Sequence, residues 1–340
     1  MRKLLNTLYI TTPNAYLSKD GLNLVISVEQ KEIFRIPVVN IESVVYFGYL
    51  GISPGAIKLC GDYHISIVFL TPGGRYISRI QPPTQGNVLL RLGQYQQSQD
   101  ADFALSISRN IIAAKIQNYR NILRRFIRDN GSDSEVEQAA AYLDRCKQYA
   151  LQAVDAATLR GREGEAAGAY FSVLGRMILQ QQADFPFQGR NRRPPRDAVN
   201  ALLSFAYTLI ANDYTAALET VGLDPYVGFF HTLRPGRASL ALDLMEEVRA
   251  YLGDRFVLSL INRRQLSRHD FKLLEEEAVV LTDEGRRTFL QAWQSRKKEE
   301  IRHPYIDEKI PVGLLPYVQA QLLARYVRGD LDGYPVFLIQ

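Results

Sequence analysis

Gln81-Pro82-Pro83-Thr84-Gln85-Gly86-Asn87 is the stretch that decides how this chain folds. Its paired prolines are stiff, its polar residues stay solvated, and the hydrophobic period changes across it. On the N-terminal side the pattern is that of short strands: Leu24–Val28, Ile33–Ile36, Val44–Phe47 and Ile65–Leu70. Thr71-Pro72-Gly73-Gly74 then reads as a turn, with Arg75–Ile77 resuming a strand. Ser53–Leu59, with Pro54 in its first turn, is the one short helix expected there. On the C-terminal side apolar residues recur at helical spacing. Ile107, Ile111, Ala114, Ile122 and Phe126 mark a long helix over Phe103–Arg128, ended by Asn130-Gly131-Ser132. Further helices are predicted over Glu135–Tyr149, Ala156–Leu179, Asp197–Ile210, Asp213–Val221, Ser239–Leu252, Asp254–Asn262, Asp283–Arg302 and Pro311–Arg328. Phe271–Val280 reads as a short hairpin. The expected fold class is α+β with two domains. Residues 1–80 form a small β-sandwich-like domain, residues 81–89 a linker, and residues 90–340 a larger all-α domain.

Composition narrows the function classes. The chain has 340 residues, 46% of them hydrophobic, which is enough for a sizeable core and argues against disorder. A net charge of +5 permits an anionic partner without requiring one. Cys60 and Cys146 stand apart with no CxxC companion, which excludes a thiolate zinc centre and fits reduced, buried thiols in a cytoplasmic protein. The N-terminal stretch lacks the sustained apolar run and cleavage site of a signal peptide, and nothing approaches a membrane-spanning length. P-loop, dinucleotide and HExxH fingerprints are missing.

Four side chains remain as candidates for chemistry. Asp243 and Glu246 are three apart, so one helix face carries both carboxylates. Such a pair repels unless a cation lies between or water screens it, and on pattern alone it reads first as a solvated acidic face. His231 leaves the apolar run Val227-Gly228-Phe229-Phe230 just ahead of that helix, either as a core histidine or as a ligand. Glu163 lies among Gly161, Gly164 and Gly168, a stripe that would let one helix approach another closely. Imidazole and carboxylates without thiolates suit Mn²⁺ or Mg²⁺. Arg190, Arg192, Arg193 and Arg196 crowd one Pro/Gly-rich loop. Arg160 and Arg162 flank Glu163, and Arg234 and Arg237 follow His231. Guanidinium forks match phosphate oxygens, although each is also an ordinary solvated charge. Lys115 and Asn118, and likewise Asn200, Ser204 and Tyr207, are polar stripes in apolar helices and need partners, whether DNA or neighbouring helices.

Taken in order, these segments resemble the CRISPR-associated integrase family, the "Cas one" proteins. Arg160-Gly161-Arg162-Glu163-Gly164 looks like the family's RGxEG motif, and Gly228-Phe229-Phe230-His231 like its GFxH segment. Ser239 to Glu246 looks like its SLxxDLxE/D segment, with glutamate where some members carry aspartate. Arg190–Tyr207 and Lys115–Asn118 also look like family segments. The resemblance covers essentially the whole chain. It implies that Glu163, His231 and Glu246 are metal ligands, with Asp243 supporting the site or reaching the metal. It further implies an N-terminal β domain that makes a homodimer and a catalytic helical domain. The activity implied is that of a metal-dependent endonuclease and integrase, acting on double-stranded prespacer DNA and the CRISPR leader-repeat. The implied partner is the small ferredoxin-like second adaptation protein, joined in some systems by a Cas-four-type nuclease. The rival from a different class is a non-catalytic DNA-binding scaffold.

Overall fold

The structure, a computed structural model, describes residues 6–48, 50–71, 76–81, 88–191, 194–274 and 278–339. The expected turn at Gly73-Gly74 and most of the expected linker lie outside the described residues, as do Arg192 and Arg193. The N-terminal part contains β1 (Thr7–Ile10), β2 (Ala15–Asp20), β3 (Asn23–Val28), β4 (Lys31–Pro37), β5 (Ser43–Phe47), α1 (Pro54–Asp62), β6 (Ser66–Leu70) and β7 (Tyr76–Ile80). β2, β3 and β4 form an antiparallel sheet, and a second sheet runs in the order β1-β5-β6-β7. In that second sheet β1 and β6 both lie parallel to β5. Parallel neighbours cannot be joined by a tight turn, and α1 provides the crossover between β5 and β6. Tyr46 ties the sheets together, its hydroxyl donating to the Ala15 carbonyl at 2.6 Å.

Alternation along the strands divides the interior in two. Val44, Tyr46, Ile65 and Ile67 face a small core shared with Leu17, Leu24, Ile26 and Cys60. Val45, Phe47, Val68 and Leu70 face the other way and join the large core of the helices. β1 and β2 are absent from the strands expected above, since Thr7–Ile10 and Ala15–Asp20 are too short or too polar to announce themselves.

The C-terminal part comprises α2 (Val88–Gln99), α3 (Ala101–Asn130), α4 (Ser134–Leu151), α5 (Ala156–Leu174), α6 (Ala198–Val221), α7 (Ser239–Val248), α8 (Arg255–Asn262), β8 (Phe271–Leu273), β9 (Val279–Leu281), α9 (Asp283–Lys298), β10 (Glu300–Arg302), β11 (Lys309–Pro311) and α10 (Leu315–Val327). Asp100, Asp133, Asp155 and Asp197 cap the N-termini of α3 to α6 by accepting backbone N–H bonds. The expected hairpin forms as β8 and β9. The expected break at Asp213 does not. α6 is one helix, because Asp213 pairs outward with Lys297 at 3.1 Å while Tyr214, Ala217 and Leu218 continue the buried stripe. A single π-helical turn, Arg249–Asp254, separates α7 from α8. Among the described residues no helix is long and apolar enough to cross a membrane.

The glycine stripe of α5 does not make the predicted helix contact. A methyl placed on Gly161, Gly164 or Gly168 meets nothing within 4 Å. The packed face is Leu159, Ala166, Tyr170 and Val173, and Glu163 falls on that line while the glycines lie on the open side.

Candidate metal centre

Asp243 organises the site from inside α7. It is fully buried; Oδ2 accepts from the backbone N–H groups of Phe229 (2.7 Å) and Phe230 (3.0 Å), and Oδ1 from that of His231 (2.9 Å). The His231 ring nitrogen Nδ1 lies 2.7 Å from Oδ1. A carboxylate oxygen accepts, so Nδ1 carries a proton, and in the neutral ring the lone pair is on Nε2. Gly228 makes this approach possible. A Cβ there would sit 2.5 Å from Asp243 Oδ2 and 2.8 Å from the Ser239 carbonyl carbon. With both oxygens used in this way, Asp243 fixes the orientation of the His231 ring and backbone.

His231 Nε2 points toward Glu246, 3.9 Å from its Oε1. Glu246 is 3% exposed and carries cations on both oxygens: Arg249 Nη2 at 2.6 Å from Oε1, and Lys115 Nζ at 2.6 Å from Oε2. Lys115, on α3, also pairs with Glu163 on α5. Burial works to raise the Glu246 carboxyl, but Arg249, Lys115 and His231 outweigh it and hold the group down at about 2. Burial works to lower the Arg249 guanidinium, and Glu246 reverses that, leaving it raised. Elements far apart in sequence therefore bring Glu163, His231 and Glu246 to one spot. Among the described residues, however, no three His, Cys, Asp or Glu side chains are gathered closely enough to hold a metal ion as they stand. The group lying between Glu163 and Glu246 is the Lys115 ammonium.

The family description "CRISPR associated protein Cas1" matches residues 8–295. CRISPR-associated endonuclease Cas1 2 of Rhodospirillum rubrum is 51% identical over 98% of this chain and 98% of that protein. This chain belongs to the Cas1 family. CRISPR-associated endonuclease Cas1 1 of Chlorobaculum tepidum is 46% identical, over 99% of each chain. Among solved structures, a CAS1 protein from Thermotoga maritima shares the fold with a TM-score of 0.83 at 23% identity, covering 98% of this chain and 100% of that one. A Cas6-RT-Cas1–Cas2 complex matches at 0.84 and 23% identity, over 99% of this chain and 36% of the other. A casposase bound to integration product matches at 0.82 and 21%, over 96% and 92%.

In this Cas1 chain the polar stripes on the helices find partners within the protein. Asn118 donates to the carbonyls of Glu247 (2.6 Å) and Phe337 (2.9 Å) and accepts from Ile339 N–H (2.9 Å), strapping the C-terminal segment to the back of α7. Glu247 completes the strap, accepting from Tyr334 Oη, Gln319 Nε2 and the Phe337 N–H. Burial pushes its carboxyl up to about 7. Arg190 donates to Asn200 (2.6 Å) and Ser204 (3.0 Å) and lies over the Tyr207 ring at 5.3 Å. Arg249 also lies over that ring, at 4.9 Å, and Tyr207 donates to Asp254 at 2.5 Å. Asn200, Ser204 and Tyr207 thus link the arginine loop to the arginine that holds Glu246.

The arginines expected to meet DNA divide by position. Arg160 is exposed and donates to the Phe230 carbonyl at 3.3 Å, beside His231. Arg162 turns the other way, over Tyr149 and onto Glu165. Arg196 and Arg234 are exposed and Arg237 is half-buried. Two residues of this network escaped the sequence reading. Arg249 had a signal, its i,i+3 spacing from Glu246. Asp254 had none, because only the π turn swings it under Tyr207.

Proposed function

We propose that this chain is a divalent-metal-dependent DNA endonuclease and integrase that inserts short foreign DNA duplexes into a CRISPR array by transesterification. The observation that carries the reading is the meeting of Glu163, His231 and Glu246 from separate elements, with the His231 ring fixed by Asp243. The donor set fits a hard cation. Glu246 Oε2 is buried, with the Lys115 ammonium against it at 2.6 Å. Glu163, His231 Nε2 and Glu246 would hold Mn²⁺ or Mg²⁺. Such an ion supplies Lewis-acid activation of an incoming 3′-hydroxyl and neutralises charge on the scissile phosphate.

The residues around it do the positioning. Asp243 fixes the ring through Nδ1, which leaves Nε2 of the neutral imidazole turned toward the ion. Arg249 holds Glu246 in its ionised form. Arg160, at the rim beside His231, would take a phosphate oxygen of the approaching strand, with Arg196, Arg234 and Arg237 serving the same strand from the outer loops. With water in place of the 3′-hydroxyl, the same groups serve strand cleavage, the activity named for the relatives. The Cas2 assembly and integration product named for proteins of the same fold support a Cas2-type partner and a duplex DNA substrate here. Ile33 and Phe34, exposed on β4, support homodimer contact through the N-terminal part.

The test is strand transfer of a spacer-like duplex into a supercoiled or branched target with Mn²⁺. His231→Ala should abolish transfer and cleavage while leaving duplex binding intact, and a chelator should do the same to the wild type. A scaffold protein that only binds DNA would be indifferent to both.

A further inference from the structure

Lys115 is an unusual neighbour for a cation site. It projects from the inner side of α3, is 1% exposed, and sits 5.7 Å from the centre of the Tyr119 ring, which stacks on Tyr170. Its ammonium reaches Glu246 Oε2 at 2.6 Å and pairs with Glu163 as well. The solvent side of the same point is formed by His231, 17% exposed, and Glu163, 23% exposed. The ammonium thus closes the floor and solvent reaches the site from the other side.

The geometry points to Lys115 as a built-in counter-ion that occupies the cation position of the metal-free protein and that a divalent cation must displace. This rests on the metal reading proposed above. Two acids brought together in a buried site repel, and the ammonium relieves that repulsion, so the site is shaped before any ion arrives. A divalent ion bound at about 2.1 Å from the same oxygens would stand within a few ångströms of the ammonium. Like charges that close, in a poorly solvated site, oppose one another strongly. Either the ammonium leaves one of the carboxylates or the ion binds weakly. Counting Glu163, Asp243 and Glu246 against Lys115 and Arg249, the cluster carries one net negative charge, and two without the lysine. A purely structural lysine, one that only holds the carboxylates in place for the ion, makes the opposite prediction for metal affinity.

The experiment is Mn²⁺ titration of the full chain by calorimetry and by the electron paramagnetic resonance of free Mn²⁺, for wild type, Lys115→Met and Lys115→Gln. Both variants should bind Mn²⁺ more tightly, by a factor on the order of ten or more. They should also melt lower than wild type without metal and show a larger rise in Tm with it. Affinity unchanged or weakened in variants that fold overturns the assignment while leaving the metal site standing. No Mn²⁺ bound by wild type, or binding indifferent to Glu246→Gln, removes the metal reading and this inference with it. Should neither variant fold, wild-type crystals soaked in Mn²⁺ decide. Lys115 Nζ moved away from Glu163 or Glu246 supports displacement, and Nζ still bridging both beside a bound ion overturns it.

Discussion

Gly228→Ala tests whether the Asp243 contacts are what aim His231. The added methyl would lie 2.5 Å from Asp243 Oδ2, 2.8 Å from the Ser239 carbonyl carbon and 2.9 Å from the Leu240 nitrogen. Two of these atoms are helix backbone at the start of α7, which cannot yield, so the 228–231 loop has to move outward. Overpacking of this kind costs about 1–3 kcal/mol. The outward shift stretches the N–H bonds from Phe229, Phe230 and His231 to a buried carboxylate, each worth about 1.5–3 kcal/mol though not additively. A total loss of about 3–5 kcal/mol follows. Urea denaturation followed by circular dichroism measures it. Cleavage of a duplex in Mn²⁺ should fall by about 10²-fold, as expected when a reacting group is misplaced by about 1 Å. Gly161→Ala is the matched control, with open space where its methyl would go. If Gly228→Ala unfolded at the wild-type urea midpoint and cut DNA at the wild-type rate, the positioning role given to Asp243 would be wrong.

Gly164→Ala and Gly168→Ala should each stabilise the protein by up to about 1 kcal/mol in thermal melts, since α5 gains helix propensity and meets no neighbour; destabilisation would restore the close-packed stripe. Burial pushes the Asp254 carboxyl up to about 6, against the opposing Tyr207 hydroxyl and Arg249. Its folded value lies above its unfolded one, so its contribution is complete below about pH 4 and is lost as pH rises through 6, amounting to about 3 kcal/mol at most. Asp254→Asn should therefore match wild type near pH 4 and exceed it above pH 7, and parallel stability curves from pH 4 to 8 would refute this. Ile33 and Phe34 are 51% and 45% exposed on β4, an edge of its sheet. Asp at both positions should convert a dimer to monomer in light scattering, and a persisting dimer would move the interface elsewhere.

Periodicity and turn chemistry by themselves determined a good deal. The change from strand to helix period after Gln81, the long α3 and the Phe271 hairpin all rest on local rules, in which neighbours in sequence are neighbours in space. The same rules failed where a contact across the chain decides. Parallel pairing of β5 with β6 depends on α1 as a crossover, and that of β5 with β1 on the β2–β4 sheet that lies between them in sequence. Continuity of α6 through Asp213 depends on Lys297, far along the chain. The open glycine face of α5 depends on which side of that helix the core takes. The site divides in the same way. Motif order pointed to Glu163, His231, Asp243 and Glu246 as candidates, and the fold brings them close together. Their division of labour was not readable from that order. Three backbone N–H groups and an imidazole converge on Asp243, and Lys115 is the cation between two acids because α3 passes beneath α5 and α7. Charge and hydrogen bonding act over a few ångströms, and only the tertiary fold brings residues 115, 163 and 246 within that range.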